Sequence, residues 1–438
     1  MRRRESWRSP EVKSFWKLIY NFFLLPAVYV VVRLLALFNK KVRKGLLGRR
    51  ETLPILRDFF RDSSPDRLVY WFHSASHGEF EQIGPVLAGL KEIEPDCQCV
   101  VSFFSPSGYE NVEDPHIDCK IYLPLDFYWN VRRALKIVRP HKLIFAEYDL
   151  WPNLVWAAER MGIQTTLFSA RIQKKSAKVC PVLRSLYRQV YSSLAAIYTV
   201  SERDHQSLRK LLTKNNRPFV RVLGNPRYDR VKELAEKSPY DRPKFISSRP
   251  FRFIAGSVWP EDDEIILERT IEMMNKWEDL SVYWVPHEPT EKYVARTKKT
   301  FEDSNVDAVV LSRYKNGNFQ TERSVIIDRV GILSELYWQA RIAYIGGGFS
   351  PGVHNVMEPA IARLPIIFGP KYHNSDAAEA LVGNGGGFCV TNADEFESAM
   401  EKLLTDKEFL VETSLAATDV IHQNLGSSTR VVRGIIRD

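Results

Sequence analysis

The feature that most constrains this chain is an alternation that begins at Arg67. Short β-branched or aromatic runs take turns with amphipathic segments, the pattern of βα units and parallel sheets. In the first series the runs are Leu68–His73, Cys99–Phe104, Lys142–Glu147, Thr165–Ser169, Ala196–Val200 and Val220–Leu223. A polar, proline-bearing stretch from Glu236 to Pro250 interrupts the pattern and reads as a linker. The second series is Arg252–Ala255, Ser281–Val285, Ala308–Leu311, Val325–Asp328, Ile342–Ile345, Pro365–Phe368 and Gly387–Val390. With 438 residues, two open α/β domains are expected, over 45–235 and 251–438, with a ligand cleft between them. Such sheets bind ligands at the carboxyl ends of their strands, so motifs that directly follow a strand carry the functional weight.

The residues before this alternation are of another kind. The first fifty hold thirteen Lys and Arg and two acids, a surplus of +11, which leaves −2 for the other 388. The formal charge of +9 therefore describes a basic head on a near-neutral body, and a nucleic-acid partner is not expected. Inside the head, Leu18 to Phe38 is apolar but for Asn21, Pro26 and Arg33, and as a helix would be about 31 Å long, roughly a hydrocarbon thickness. Aromatics Phe15, Trp16, Tyr20, Phe22, Phe23 and Tyr29 crowd its first half, as in segments at a headgroup boundary. Basic flanks on both sides suit an anionic membrane surface, so 1–44 is expected to be a membrane anchor, spanning or lying in the interface. The five cysteines, Cys97, Cys99, Cys119, Cys180 and Cys389, are odd in number and scattered. They form neither a disulfide framework nor a zinc pattern, which fits a reducing compartment and no metal.

Four groups of strand-end motifs follow. HSASHGEF, His73 to Phe80, places Ser76, Gly78 and Glu79 in a turn before a helix. Glu79 there either serves as a general base or merely favours the helix macrodipole, and spacing alone leaves both open. SFFSPSGYE, Ser102 to Glu110, offers the hydroxyls of Ser105 and Ser107 either to an anion or to helix capping. AEYDLWPNL, Ala146 to Leu154, sets Glu147 and Asp149 beside Trp151, acids for sugar hydroxyls and an aromatic face for a ring; Arg171, after the next strand, would bind an anion or pair with Glu147. In the second half stand Ser257 of GSVWPEDDE, His287 of VPHEP, the run Gly346-Gly347-Gly348, and His354, Asn355 and Glu358 of HNVMEP. The glycines allow backbone N–H groups close to a phosphate, while Asn355 and Glu358, three apart, would share a helical face and hold a ribose diol. The triple glycine lacks the dinucleotide spacing of a Rossmann site.

In this order the motifs resemble the Kdo transferase family, which adds 3-deoxy-D-manno-octulosonic acid (Kdo) to lipid A precursor. The resemblance runs from the N-terminal anchor to about residue 391. It is carried by Ser76 to Glu79, Glu147 to Asn153, Ser169-Ala170-Arg171, Gly256-Ser257, Asp328 to Tyr337, His354-Asn355 and Glu358-Pro359. It implies a GT-B fold, two Rossmann-like domains facing a central cleft, with an N-terminal membrane-anchoring helix. It also implies an inverting, metal-independent transferase with CMP-Kdo as co-substrate and no other cofactor, at the cytoplasmic face of a bacterial inner membrane. By the same resemblance Glu79 is the catalytic base; Ser76, Gly78, Ser105, Ser107, Glu147 and Arg171 fall on the acceptor side. Ser257, His287, Gly346, Gly347, Gly348, His354, Asn355 and Glu358 fall on the donor side. The chain departs from the family's usual pattern at Asp149, at Pro286-His287-Glu288, at Gly348 and at Val353. The other readings are a different GT-B nucleotide-sugar transferase, an epimerase, or a non-catalytic membrane-bound binder of sugar nucleotides or anionic lipid.

Overall fold

The computed structural model describes residues 10–64, 66–147, 149–172, 181–212, 218–237, 245–314 and 319–438. Residues up to Arg230 together with Gly426–Asp438 form one compact unit, and Val231–Leu425 form a second.

The first unit holds seven strands: β1 (Val69–Ser74), β2 (Gln98–Phe103), β3 (Cys119–Tyr122), β4 (Lys142–Ala146), β5 (Gln164–Ala170), β6 (Ala196–Thr199) and β7 (Phe219–Val222). Their order is β3-β2-β1-β4-β5-β6-β7 and every pairing is parallel. Both faces are covered, so the central strands are buried throughout and mostly apolar rather than alternating. Trp71, Leu143 and Phe145 fill the core on one face; Tyr70, Phe72 and Ile144 fill the other. The second unit repeats the plan with β8 (Arg252–Val258), β9 (Ser281–Pro286), β10 (Val309–Val310), β11 (Ser324–Ile326), β12 (Ile342–Ile345), β13 (Ile366–Phe368) and β14 (Gly387–Cys389). Here the order is β10-β11-β9-β8-β12-β13-β14, again all parallel.

All thirteen expected strands are present, within three residues at each end. The strand missing from the sequence reading is β3, four residues long at a sheet edge with Lys120 in its middle. Too short and too polar to show a period, it is made by pairing with β2. The expected domain boundaries need two corrections. The terminal helix Ser427–Arg437 does not belong with the second domain: it buries Val431, Val432 and Ile435 in the core of the first unit. Each contributes about 1.5–3 kcal/mol, and Asp229 fixes the entry by accepting from Gly426 N at 2.6 Å and Ser428 N at 2.7 Å. The expected linker 236–250, of which 238–244 lie outside the described residues, ends as built structure: Arg249 is buried and donates to the carbonyls of Ala362 (2.7 Å) and Ala340 (3.2 Å).

At the N-terminus a helix runs Pro10–Ile19, widens by a π turn at Tyr20–Leu24, and continues as Leu25–Phe38. Its span from Phe15 to Phe38 is long and apolar enough to cross a membrane. The helix docks onto the first unit by both packing and hydrogen bonds. Trp16 joins the core with Ile19 and Tyr20 against it, while Trp16 Nε1 donates to Ser185 Oγ (3.0 Å), Tyr20 OH to Asp126 (2.8 Å) and Asn21 Nδ2 to Asn153 Oδ1 (3.0 Å). Phe22, Phe23, Val30, Val31, Leu34 and Phe38 stay exposed, which excludes a buried core helix.

Candidate active site

Strand order decides where a ligand can reach each sheet. In the first unit the chain steps from β1 outward through β2 and β3, then returns to the other side of β1 with β4. The crevice at this reversal opens at the carboxyl ends of β1 and β4. Glu79 follows β1 in the first turn of the helix His77–Ile93, and Glu147 follows β4.

Glu79 is half-buried and accepts from Ala75 N at 2.6 Å. Burial pushes its carboxyl up to about 8; the Ala75 N–H pulls the other way, Asp149 and Glu147 push it further, and Arg227 opposes them. Glu147 is buried, receives the Gln82 amide, and lies 3.8 Å from Arg227, which also donates to Gly78 O at 2.7 Å. Asp149, Trp151 and His73 make a second knot. His73 is buried with Nδ1 at 3.0 Å from the Ser102 carbonyl, which can only accept, so Nδ1 carries a proton. Its Nε2 faces Asp149 at 2.9 Å, and the Trp151 indole donates to both. His73 is thus an orienting residue in the wall. Ser76, the residue that starts the helix, and exposed Gly78, with open space where a Cβ would stand, leave the approach to Glu79 clear. Ser105 and Ser107 bond each other at 2.9 Å, and Ser105 caps the helix Pro106–Asn111. Arg171 is half-buried just past β5.

Three non-glycine residues at these strand ends take left-handed backbone: Glu147 (φ 57°), Ser169 (φ 51°) and Ser257 (φ 55°). Such strain costs about 1–3 kcal/mol each and persists where the surroundings enforce it.

The second unit reverses between β8 and β12. Ser257 sits in a bulge at the end of β8, and Gly346 follows β12. The triple glycine has a tighter task than the sequence suggests. A Cβ on Gly346 would stand 2.2 Å from Ser257 O, and one on Gly348 2.4 Å from Gly369 N. Gly346 N donates to Gly256 O (2.9 Å) and Gly347 N to Asp262 (2.8 Å), so these two N–H groups hold the loop itself rather than an open phosphate cradle. Asp262, fully buried, also takes Trp259 N and the Tyr344 hydroxyl. Beside the loop, His354 and His287 stack at 4.3 Å and His287 on Trp259 at 4.6 Å, while Trp259 Nε1 donates to His354 Nε2 at 2.7 Å. Burial, and then the neighbouring His287, lower the His354 pKa to about 4, so the ring is neutral and accepts. Asn355 lies before the helix Met357–Ile361, not on it, yet donates to Glu358 at 2.8 Å. Among the described residues no cluster of His, Cys, Asp and Glu could hold a metal.

A family described as 3-deoxy-D-manno-octulosonic-acid transferase (kdotransferase) matches residues 48–230. The 3-deoxy-D-manno-octulosonic acid transferase of Haemophilus influenzae is 27% identical over 95% of this chain and 97% of its own. That of Aquifex aeolicus is 28% identical over 82% and 93%. The chain is thus similar to the Kdo transferase family over residues 48–230, and to named Kdo transferases over most of its length. It is a glycosyltransferase of the GT-B fold. A UDP-GlcNAc 2-epimerase from Neisseria meningitidis (TM-score 0.60, 14% identity, 85% of this chain and all of that one) and MurG from Acinetobacter baumannii (TM-score 0.55, 14%, 85% and all) share that fold.

In this chain the geometry groups Glu79, Gly78, Glu147 and Asp149 in one unit, and Ser257, His287, the glycines, His354 and the Asn355–Glu358 pair in the other. Three residues were not singled out from sequence. Arg227 opens a helix after the edge strand β7, and only tertiary folding brings it to Gly78. Trp259 and Asp262 stand within a named motif; an acid three residues after a strand-end Trp is an N-terminal helix signal, here used to clamp a loop.

Proposed function

We propose that this transferase moves Kdo from CMP-Kdo to the phosphorylated glycolipid that precedes lipid A, with inversion and with Glu79 as general base. Glu79 carries the reading. A carboxyl beside an open approach, held near 8 by burial, takes a proton from an acceptor hydroxyl more readily than an ordinary carboxylate and remains partly ionised at neutral pH. The acceptor oxygen attacks the anomeric carbon of Kdo as the bond from that carbon to the phosphate oxygen of CMP breaks; the hydroxyl proton passes to Glu79. Glu147, Asp149 and the Trp151 face suit the acceptor sugar, and Ser76, Ser105, Ser107 and Arg171 border that side. In the second unit, the Trp259–His287–His354 stack suits a flat base and the Asn355–Glu358 pair a ribose diol. No metal or further cofactor is called for, since the departing CMP keeps its charge on phosphate. The apolar helix Phe15–Phe38 and the +11 head support attachment to the anionic cytoplasmic face of the inner membrane.

The test is to incubate the purified full chain with CMP-Kdo and tetraacylated lipid A precursor and weigh the lipid. One or more added Kdo residues with stoichiometric CMP are expected. Unchanged lipid mass, or conversion of the nucleotide sugar without transfer, overturns the reading.

A further inference from the structure

We propose that the N-terminal helix and the helix after it roof a binding site for one acyl chain of the acceptor, with a set of arginines beside it for that lipid's phosphate. The proposal rests on the acceptor being a phosphorylated lipid. The helix Leu25–Phe38 ends at Asn39, whose side chain accepts from Lys41 N (2.9 Å) and Val42 N (3.2 Å) and so starts the return helix Lys40–Gly48. Between this hairpin and the body of the first unit lies a cavity of about 290 Å³. Val28 and Val32 wall it from one helix, Val42 and Leu46 from the other, and Phe104 and Phe127 from the body. The acid in its lining, Asp126, is already taken up by Tyr20 and by Asn153 N (3.0 Å). Apart from Asp126, the lining is mostly apolar with Lys41 and Arg49 as its basic members, which suits a hydrocarbon chain better than a sugar.

Two further observations choose the occupant. Trp151 and Ser105 line the same cavity, and Trp151 is the indole that bonds His73 and Asp149, so the cavity ends against the wall of the Glu79 site. Beside it, sharing Tyr29, Leu46, Arg49 and Leu125 in its lining, is a second cavity of about 460 Å³ with Arg33, Arg43, Arg49 and Arg50 around it and no acid. Arg49 gives its N–H groups to the carbonyls of Gly45 (2.7 Å) and Phe104 (2.6 Å). Arg33, Arg43 and Arg50 have no carboxylate partner among the described residues. Four guanidinium groups around one cavity with no acid among its lining suit an anion, and guanidinium matches phosphate in geometry and charge. An apolar slot joined to a cationic one, under a helix whose outer face is apolar, is complementary to a phosphorylated lipid drawn partly out of a bilayer.

The test uses the full chain in detergent with CMP-Kdo and three acceptors: acylated and phosphorylated, deacylated but phosphorylated, and acylated without phosphate. V42W fills the cavity from one helix and V28W from the other. Each should raise KM for the acylated phosphorylated acceptor about tenfold or more, as when several methylenes lose their burial, and leave kcat/KM on the deacylated acceptor and binding to liposomes as in the wild type. Arg43→Gln with Arg50→Gln should raise KM for the two phosphorylated acceptors and not for the third. Unchanged KM in both wedge variants, equal losses on acylated and deacylated acceptors in both, or a KM rise that tracks lost liposome binding overturns the cavity assignment while transfer by the wild type stands. A wild type inactive on every acceptor overturns the acceptor reading itself.

Discussion

The two units of this transferase place opposite chemistry at the same point of the same topology. Where the first sheet reverses, between β1 and β4, the strand ends carry acids, and burial with mutual repulsion raises Glu79 to about 8. Where the second reverses, between β8 and β12, they carry glycines, a serine and stacked aromatic rings, and burial lowers His354 to about 4. Asp262, in the first turn of the helix Pro260–Lys276, is fully buried and bonded to the backbone of Trp259 and Gly347. A site that must remove a proton needs a carboxylate made basic by its surroundings. On the proposed function the second site receives a nucleotide phosphate, and the burial of Asp262 keeps its charge away from that phosphate. The shared fold supplies the location, and only the strand-end residues divide the labour.

The largest expected effect is on the acid side. Glu79→Gln keeps the shape and the Ala75 contact but cannot take a proton, so transfer should fall by about 10²–10⁴-fold with an unchanged donor KM and a melting temperature that is not lowered. Near-normal turnover would remove Glu79 from the mechanism and dissolve the contrast. Next in size is the pH dependence. With the base near 8, kcat/KM should rise roughly tenfold per pH unit below that value and level off above it. Because Arg227 holds the Glu79 pKa down, Arg227→Gln should move the midpoint to higher pH; a midpoint that stays, or moves down, would sever Arg227 from the base. The stability sign follows from the same shift. The folded state binds the Glu79 proton more tightly than the unfolded state does, so its contribution is fully present below the ordinary carboxylate pKa near 4.5 and is lost as pH rises toward 8. The smallest effect belongs to the second unit. Asp262→Asn leaves a loop donor or acceptor poorly matched and should cost about 1–3 kcal/mol in thermal unfolding, with a raised donor KM and the kcat pH midpoint in place. A shifted midpoint would show that Asp262 belongs to the acid–base chemistry after all.

Elements with strong local patterns were legible along the chain, and those held by distant partners were not. The central strands stand out because they are buried on both faces and read as mostly apolar, β-branched or aromatic runs. β3 and the allegiance of Ser427–Arg437 do not: the first exists by pairing to β2, the second by packing Val431, Val432 and Ile435 against a core more than two hundred residues upstream. Asn355 and Glu358 meet as the spacing suggests, but through a turn before a helix rather than along one.

By itself, the sequence determined the α/β class, the two series of strands, the basic apolar head and the strand-end motifs, because these follow from local composition and periodicity. The tertiary structure alone decided which motif groups have perturbed chemistry and which hold the backbone. Desolvation and neighbouring charges set the basicity of Glu79; crowding turned the triple glycine into a backbone contact; and chain crossing brought Arg227 to Gly78 and joined arginines of the N-terminal hairpin to an apolar cavity. Charge, burial and contact are properties of places, and places exist only once the chain has folded.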